Sequence, residues 1–177
     1  MIDNEATERF MAAPWLAEVD SDTKRTILKA LVEARAPAGV TLLAQGQPND
    51  HLTFLIEGTA EIERTFATGR HEIITTLTAP AVFGTTSFFQ PKPPTVTVRS
   101  TSEVWMLSLY HPAHEEMRIA SPRAAEALAL AVVRALSERF DLMDMLFTNH
   151  TSQHSDEPAR TSEWAGFRAK LFEERGI

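Results

Sequence analysis

Phe83-Gly84-Thr85-Thr86-Ser87-Phe88-Phe89, a loop broken by Pro91, Pro93 and Pro94, and then Thr95-Val96-Thr97-Val98-Arg99-Ser100 form the stretch on which the reading of this chain turns. The second half predicts a β-strand over Thr95 to Arg99, because apolar and polar residues alternate. In the first half Gly84 stands out. A side chain there would obstruct close approach of a ligand to the backbone, and the hydroxyls of Thr85, Thr86 and Ser87 add hydrogen-bond donors beside it.

The strand pattern continues outward. Short β-type runs cover Val40 to Ala44, Leu52 to Ile56, Ala60 to Phe66, Glu72 to Leu77 and Val104 to Leu109. Turn residues punctuate them: Gln45-Gly46-Gln47-Pro48-Asn49-Asp50, Glu57-Gly58, Thr68-Gly69-Arg70 and Thr78-Ala79-Pro80. Short strands at this spacing predict an antiparallel sandwich or jelly roll. Helices flank it. Phe10, Met11, Trp15 and Leu16 mark a helical lead-in, and Asp20-Ser21-Asp22 caps a second helix through Ile27, Leu28, Leu31 and Val32 to Ala34, ended by Pro37-Ala38-Gly39.

After Leu109 the helical pattern returns. Ser121-Pro122 is a start signal for a long helix to about Phe147, roughly 40 Å at 1.5 Å per residue. One apolar line is Ala125, Ala129, Val132, Leu136, Phe140, Met143 and Phe147; a second is Leu128, Ala131, Ala135, Leu142 and Leu146. Two adjoining apolar faces predict packing on the β-roll and on a partner, hence a homodimer through Ser121 to Phe147. Asn149 to Thr161 is polar and reads as a linker. Trp164, Phe167 and Leu171 then mark a short amphipathic tail helix that suits folding back or docking on another protein. The expected fold class is α+β. It comprises a domain over 1–148, with a helical lead-in at 5–36, a β-roll at 37–110 and C-terminal helices at 111–148, and a linker and tail over 149–177.

The chain has 177 residues and no cysteine, which excludes a disulfide framework, a thiolate zinc site and a cysteine nucleophile. The acidic start lacks a basic segment leading into an apolar core, so no secretory signal is expected. No apolar run approaches the roughly 18 residues of a membrane span. A cytoplasmic protein is expected. Its 17 Lys and Arg against 24 Asp and Glu, a net charge of −7, disfavour general nucleic-acid binding. Arg118, Arg123, Arg134 and Arg139 lie among Glu115, Glu116, Glu126 and Glu138 and read as a solvated helix face.

The order of these elements resembles the cyclic nucleotide-binding domain of the catabolite activator protein family and of kinase regulatory subunits, over about Phe10 to Leu146. Ala38-Gly39-Val40, Gln45-Gly46-Gln47-Pro48 and Leu52-Thr53-Phe54-Leu55-Ile56-Glu57-Gly58 are similar to the family's successive strand-and-turn motifs, and Phe83 to Ser100 resembles its phosphate-binding cassette. The resemblance implies a jelly roll, or double-stranded β-helix, with N-terminal helices and a long C-terminal helix. It also implies that the turn after Phe83-Gly84 opens a short helix whose free N–H groups face a cyclic phosphate, an arrangement physics favours at any helix start.

The charged half of the cassette is missing. Thr85 stands where the family has the Glu that holds the ribose hydroxyl, and Pro94 where it has the Arg that pairs with the phosphate. Loss of one partner from such a charge-assisted pair costs about 2–5 kcal/mol, roughly 30-fold to several-thousand-fold in affinity. Lys92 is a candidate substitute cation. Arg99 alternates with Val98 and reads as an outward structural residue. The resemblance places Arg139 and Phe140 where the long helix meets the base, and Arg139 is the nearby cation able to stack on it or grip an anion. The candidate ligand-binding residues are thus Phe83, Gly84, Thr85, Thr86, Ser87, Thr95, Val96 and Arg139. The expected ligand is a cyclic nucleotide or another small anion, or none.

His111 with His114 and His150 with His154 lack a full ligand set for a metal. Nucleophile-elbow, Walker and zinc-protease motifs are absent. No catalytic or metal-binding residue is expected. The family's transcription factors continue into a winged helix-turn-helix for which the remaining residues are too few, so direct DNA binding is not expected. The reading is a stand-alone regulatory or sensor domain with diverged or lost cyclic-nucleotide binding. The alternative is a structural or partner-docking module, with a cupin-type metalloenzyme as a third class.

Overall fold

The structure, a computed structural model, describes residues 2–90 and 92–153, with side chains described as far as residue 138 and at Phe140. Met1–Ala135 forms one compact unit, and Leu136–Ile177 a second. The expected tail helix around Trp164, Phe167 and Leu171 lies outside the described residues.

The chain begins with α1 (Asn4–Met11), a single 3-10 turn (Pro14–Leu16) and α2 (Ser21–Lys29). Asp3 and Asp20 cap the two helices through their carboxylates, Asp20 Oδ1 accepting the N–H groups of Asp22 and Thr23. Eight strands follow: β1 (Val32–Ala36), β2 (Thr41–Leu43), β3 (His51–Glu57), β4 (Thr59–Thr65), β5 (His71–Thr78), β6 (Ala81–Phe83), β7 (Thr97–Ser100) and β8 (Val104–Tyr110). A short helix, α3 (Thr85–Phe89), separates β6 from β7, and α4 (His111–Ala120) and α5 (Pro122–Gln153) complete the described chain. Among the described residues, no helix is long and apolar enough to cross a membrane.

The strands make two antiparallel sheets, ordered β1-β8-β3-β6 and β2-β7-β4-β5. The first is covered on both faces. Trp105, Leu107 and Leu109 of β8 with Leu52, Phe54 and Ile56 of β3 meet Phe10, Trp15, Leu16 and Ile27 of the N-terminal helices and Leu128 and Val132 of α5. Val104 and Met106 of β8 with Leu55 and Phe83 turn the other way, onto Leu43, Ala60, Leu77 and Val98 of the second sheet. Burial on both faces explains why β3 and β8 read as nearly continuous apolar runs, whereas β7, covered on one face, alternates. Phe54 is the hub of the helical side, its ring edge-on to Phe10 at 5.4 Å and stacked on Trp15 at 6.2 Å.

Three expectations are corrected. The second helix stops at Lys29, not Ala34, and Val32–Ala36 is a strand paired with β8 from Val32↔Ser108 to Ala36↔Val104. Its neighbours decide this: Glu33 Oε1 accepts the Trp105 indole N–H at 2.8 Å, and the Arg35 guanidinium lies 3.7 Å from the Trp105 ring centroid. Tertiary pairing overrides a helical pattern that the isolated residues satisfy. The linker expected from Asn149 is also revised, since α5 continues to Gln153. That polar last stretch carries no residue that stops a helix. The expected strand from Thr95 starts at Thr97.

Candidate functional site

The cassette is built from β6 onward. Ala81, Val82 and Phe83 are all buried and paired with β3 at Leu55, Phe54 and Thr53. The chain then turns at Gly84, with φ of 78°, into α3. A Cβ at Gly84 would lie 2.9 Å from the His51 carbonyl oxygen and 3.4 Å from Asn49 Nδ2. The glycine is therefore required by its own backbone conformation and by β3. This reason lies within the chain, whereas the sequence reading had rested on ligand approach.

The first turn of α3 has no side-chain cap, and the leading N–H groups of a helix have no acceptor within it. Thr85 and Ser87 are buried and Thr86 is exposed. Ser87 Oγ donates to the Gly84 carbonyl at 3.2 Å and accepts from Asn49 Nδ2 at 3.0 Å, and the same amide donates to the His51 carbonyl at 2.7 Å. Asn49 thus pins the start of α3 to the start of β3. At the far end, His111 Nε2 lies 3.0 Å from the Phe88 carbonyl oxygen, which only accepts, so the imidazole carries its proton on that nitrogen. The His111 ring is 4.5 Å from that of Phe88, and its backbone N–H reaches the Asp50 carbonyl at 3.0 Å.

Two clusters perturb titration here. His114 lies 5.2 Å from the ring of Phe88 and 5.8 Å from that of Phe89, and burial holds its pKa below the ordinary histidine value. The Asp50 carboxylate, hydrogen-bonded by His51 Nδ1 at 3.0 Å, titrates below the usual carboxylate range.

The rest of the cassette is neutral where the family pattern is ionic. Pro94 is buried, and its carbonyl accepts the Gly46 N–H at 2.9 Å, so the loop is tied to the β2–β3 turn. Thr95 is exposed and Val96 half-buried, both just before β7. Lys92 is exposed. Arg99 serves the sheet: its Nε donates to Glu63 at 3.1 Å and its Nη1 to the Gly39 carbonyl at 3.2 Å. The Arg139 side chain lies outside the described residues, while Phe140 is exposed.

The structure therefore carries Phe83, Gly84, Thr85, Thr86 and Ser87 on one turn, with Phe83, Thr85 and Ser87 buried, Gly84 half-buried and Thr86 exposed. It adds Asn49 and His111, which sequence reasoning missed as part of the cassette. The signal for Asn49 was its place in the Pro48-Asn49-Asp50 turn facing Gly84, and for His111 its position directly before Pro112 at a helix start. His111 and His114 had been weighed as a metal pair; the rings instead pack on Phe88. Among the described residues, no group of three or more His, Asp or Glu is placed to hold a metal ion.

The family model described as cyclic nucleotide-binding domain matches residues 33–121. A CRP-like cAMP-activated global transcriptional regulator of Mycobacterium tuberculosis is 29% identical over 132 residues, covering 74% of this chain and 59% of that protein. The match thus spans less than two thirds of that curated relative. Among solved structures, the N-terminal domain of a transcriptional regulator from Streptomyces coelicolor superposes with a TM-score of 0.63 at 28% identity, over 75% of this chain and 95% of the other. A cyclic nucleotide-binding domain from Methylobacillus flagellatus gives a TM-score of 0.73 at 16% identity, over 82% and 84%, a likeness of fold alone.

Proposed function

Since the chain belongs to the cyclic nucleotide-binding domain family, we propose that it is a regulatory domain, not an enzyme, whose cassette keeps the family's backbone cradle and has lost its ionic clamp. The observation that carries this is the pairing of an uncapped α3, launched from Gly84, with a buried Thr85 and a buried Pro94 in the two positions that would bear charge. Backbone N–H groups attract an anion weakly and without regard to its identity. The clamp supplies the larger, directional part of the energy. The pocket thus takes a ligand other than a conventionally held cyclic nucleotide, or takes cyclic AMP only weakly. We propose Phe83 to Ser87, Thr95 and Val96 as its lining.

The domain acts as a dimer through Ser121 to Phe147. Exposed Leu130, Leu136 and Phe140 on α5 support this, because apolar side chains left in water on a helix also buried through Leu128, Ala131, Val132 and Ala135 gain by burial against a partner.

Calorimetric titration with cyclic AMP, cyclic GMP and cyclic dinucleotides tests the first statement. Millimolar or absent binding of cyclic AMP is expected, and micromolar binding overturns it. Native mass tests the second, with a doubled mass expected and a monomer contradicting it.

A further inference from the structure

Three of the chain's six histidines gather where the cassette helix, the start of β3 and α4 meet. His51 rests on Tyr110 with ring centroids 5.3 Å apart, and His111 and His114 rest on Phe88 at 4.5 and 5.2 Å. Phe88 is the anchor of α3, only 3% exposed and part of the core shared with β3 and β8. Phe89 beside it is 41% exposed, and the His114 ring stands edge-on to it at 5.8 Å.

The three rings respond differently to a proton. His51 Nδ1 lies 3.0 Å from the Asp50 carboxylate, and His111 Nε2 donates to the Phe88 carbonyl at 3.0 Å. A proton added to either ring leaves these contacts in place and makes them charge-assisted. His114 has no such acceptor. Its ring is half-buried against Phe88 and Phe89, and no hydrogen bond to a described residue holds it. A charge there exchanges water for two hydrocarbon rings, and burial is the largest influence opposing it. The charged groups that face it all come from α4: Glu115 favours the proton, while Arg118 and His111 oppose it. The other packed element, α3, is Thr-Thr-Ser-Phe-Phe and brings no acid or base.

We infer that the contact of His114 with Phe88 and Phe89 is a proton-operated latch: a neutral ring clasps the C-terminal end of the cassette helix to α4, and a charged ring lets that end go while the sheets stay closed. The five-residue helix has almost no stability of its own, so its opening is local. An opened His114 titrates near the ordinary value of about 6.5, so the latch is fully closed above that pH and opens as pH falls through the lower closed-state value. Acid thereby loosens the helix that forms the cradle and weakens its hold on any anion. That last consequence rests on the function proposed above, whereas the latch itself does not.

The test is made on the full chain without ligand, so a failed nucleotide titration leaves it unaffected. Amide protection factors, corrected for intrinsic exchange, are measured at pH 7.5 and 5 together with the histidine imidazole resonances. The Phe88 and Gln90 amides, bonded to the Gly84 and Thr86 carbonyls, should lose protection roughly threefold to tenfold, as uptake of one proton allows. The amides of Phe54 and Leu107, in the centre of the first sheet, should not. The His114 resonance should lose the ring-current shift of its aromatic neighbours as it takes up the proton. His114→Gln, which stays neutral and polar at both pH values, should remove the difference between them. Unchanged protection, an equal loss in His114→Gln, an equal loss at Phe54 and Leu107, or a charged His114 that keeps its ring-current shift overturns the inference.

Discussion

His111 donates from Nε2 to the carbonyl oxygen of Phe88 across 3.0 Å, joining the last turn of α3 to the first residue of α4. With Asn49 at the other end, the five-residue cassette helix is held at both termini by side chains from outside it. A helix this short has almost no stability of its own. His111→Ala should therefore cost about 1–3 kcal/mol, the range for leaving a partly buried acceptor unpaired. It should also speed exchange of the Phe88 and Gln90 amides, which bond to the Gly84 and Thr86 carbonyls. His111→Phe keeps the ring and removes the donor. If both variants exchange like the wild type, the contact does not order the cassette.

His114 gives the cassette a pH dependence of known sign. Burial lowers its folded pKa, opposed by Glu115 and assisted by Arg118 and His111. The unfolded chain, with an ordinary value of about 6.5, then binds the proton more readily. Stability tied to neutral His114 is complete above that value and is lost as pH falls from it through the lowered folded value. Urea midpoints at pH 7.5 and 5.5 should drop more in the wild type than in His114→Phe. An equal drop in both proteins would show that another group carries the acid sensitivity.

The turn glycines should rank by what a methyl group meets. Gly46, Gly58 and Gly84 all sit at positive φ, which costs alanine about 1–2 kcal/mol. A Cβ on Gly46 meets nothing within 4 Å, on Gly84 the His51 carbonyl at 2.9 Å, and on Gly58 the Glu103 carbonyl at 2.2 Å. Melting temperatures should fall in the order Gly46→Ala, then Gly84→Ala, with Gly58→Ala worst and prone to misfold. Should Gly84→Ala prove as mild as Gly46→Ala, the crowding by β3 is relieved at no cost.

Most of the roll was legible because turn glycines and alternation are local signals, as in Thr97-Val98-Arg99-Ser100. The outward role of Arg99 followed from the same alternation, and its bond to Glu63 agrees. Strand β1 was not legible. Val32-Glu33-Ala34-Arg35-Ala36 has helix-forming residues, and only pairing with β8, some seventy positions away, makes it a strand. The cassette's sequence was readable, but its supports were not. Asn49 and His111 lie far from Gly84 and Phe88 in sequence, so only the closed fold brings them together.

Restoring the clamp is the sharpest trial of the functional reading. On the function proposed above, Thr85→Glu with Pro94→Arg places a carboxylate and a guanidinium in the two positions that the family resemblance assigns to charge. Without ligand, the pair should lower the melting temperature, since Thr85 is only 6% exposed and a carboxylate there loses water without a partner. With cyclic AMP the same variant should bind at least 30-fold tighter than the wild type, the lower end of what about 2 kcal/mol gives, and its melting temperature should recover. The single changes should each gain little, because glutamate and arginine grip different parts of the nucleotide and each alone leaves the other contact unmade. A double variant that stays folded and still ignores cyclic AMP would mean that the pocket's walls, and not its missing charges, have changed its ligand.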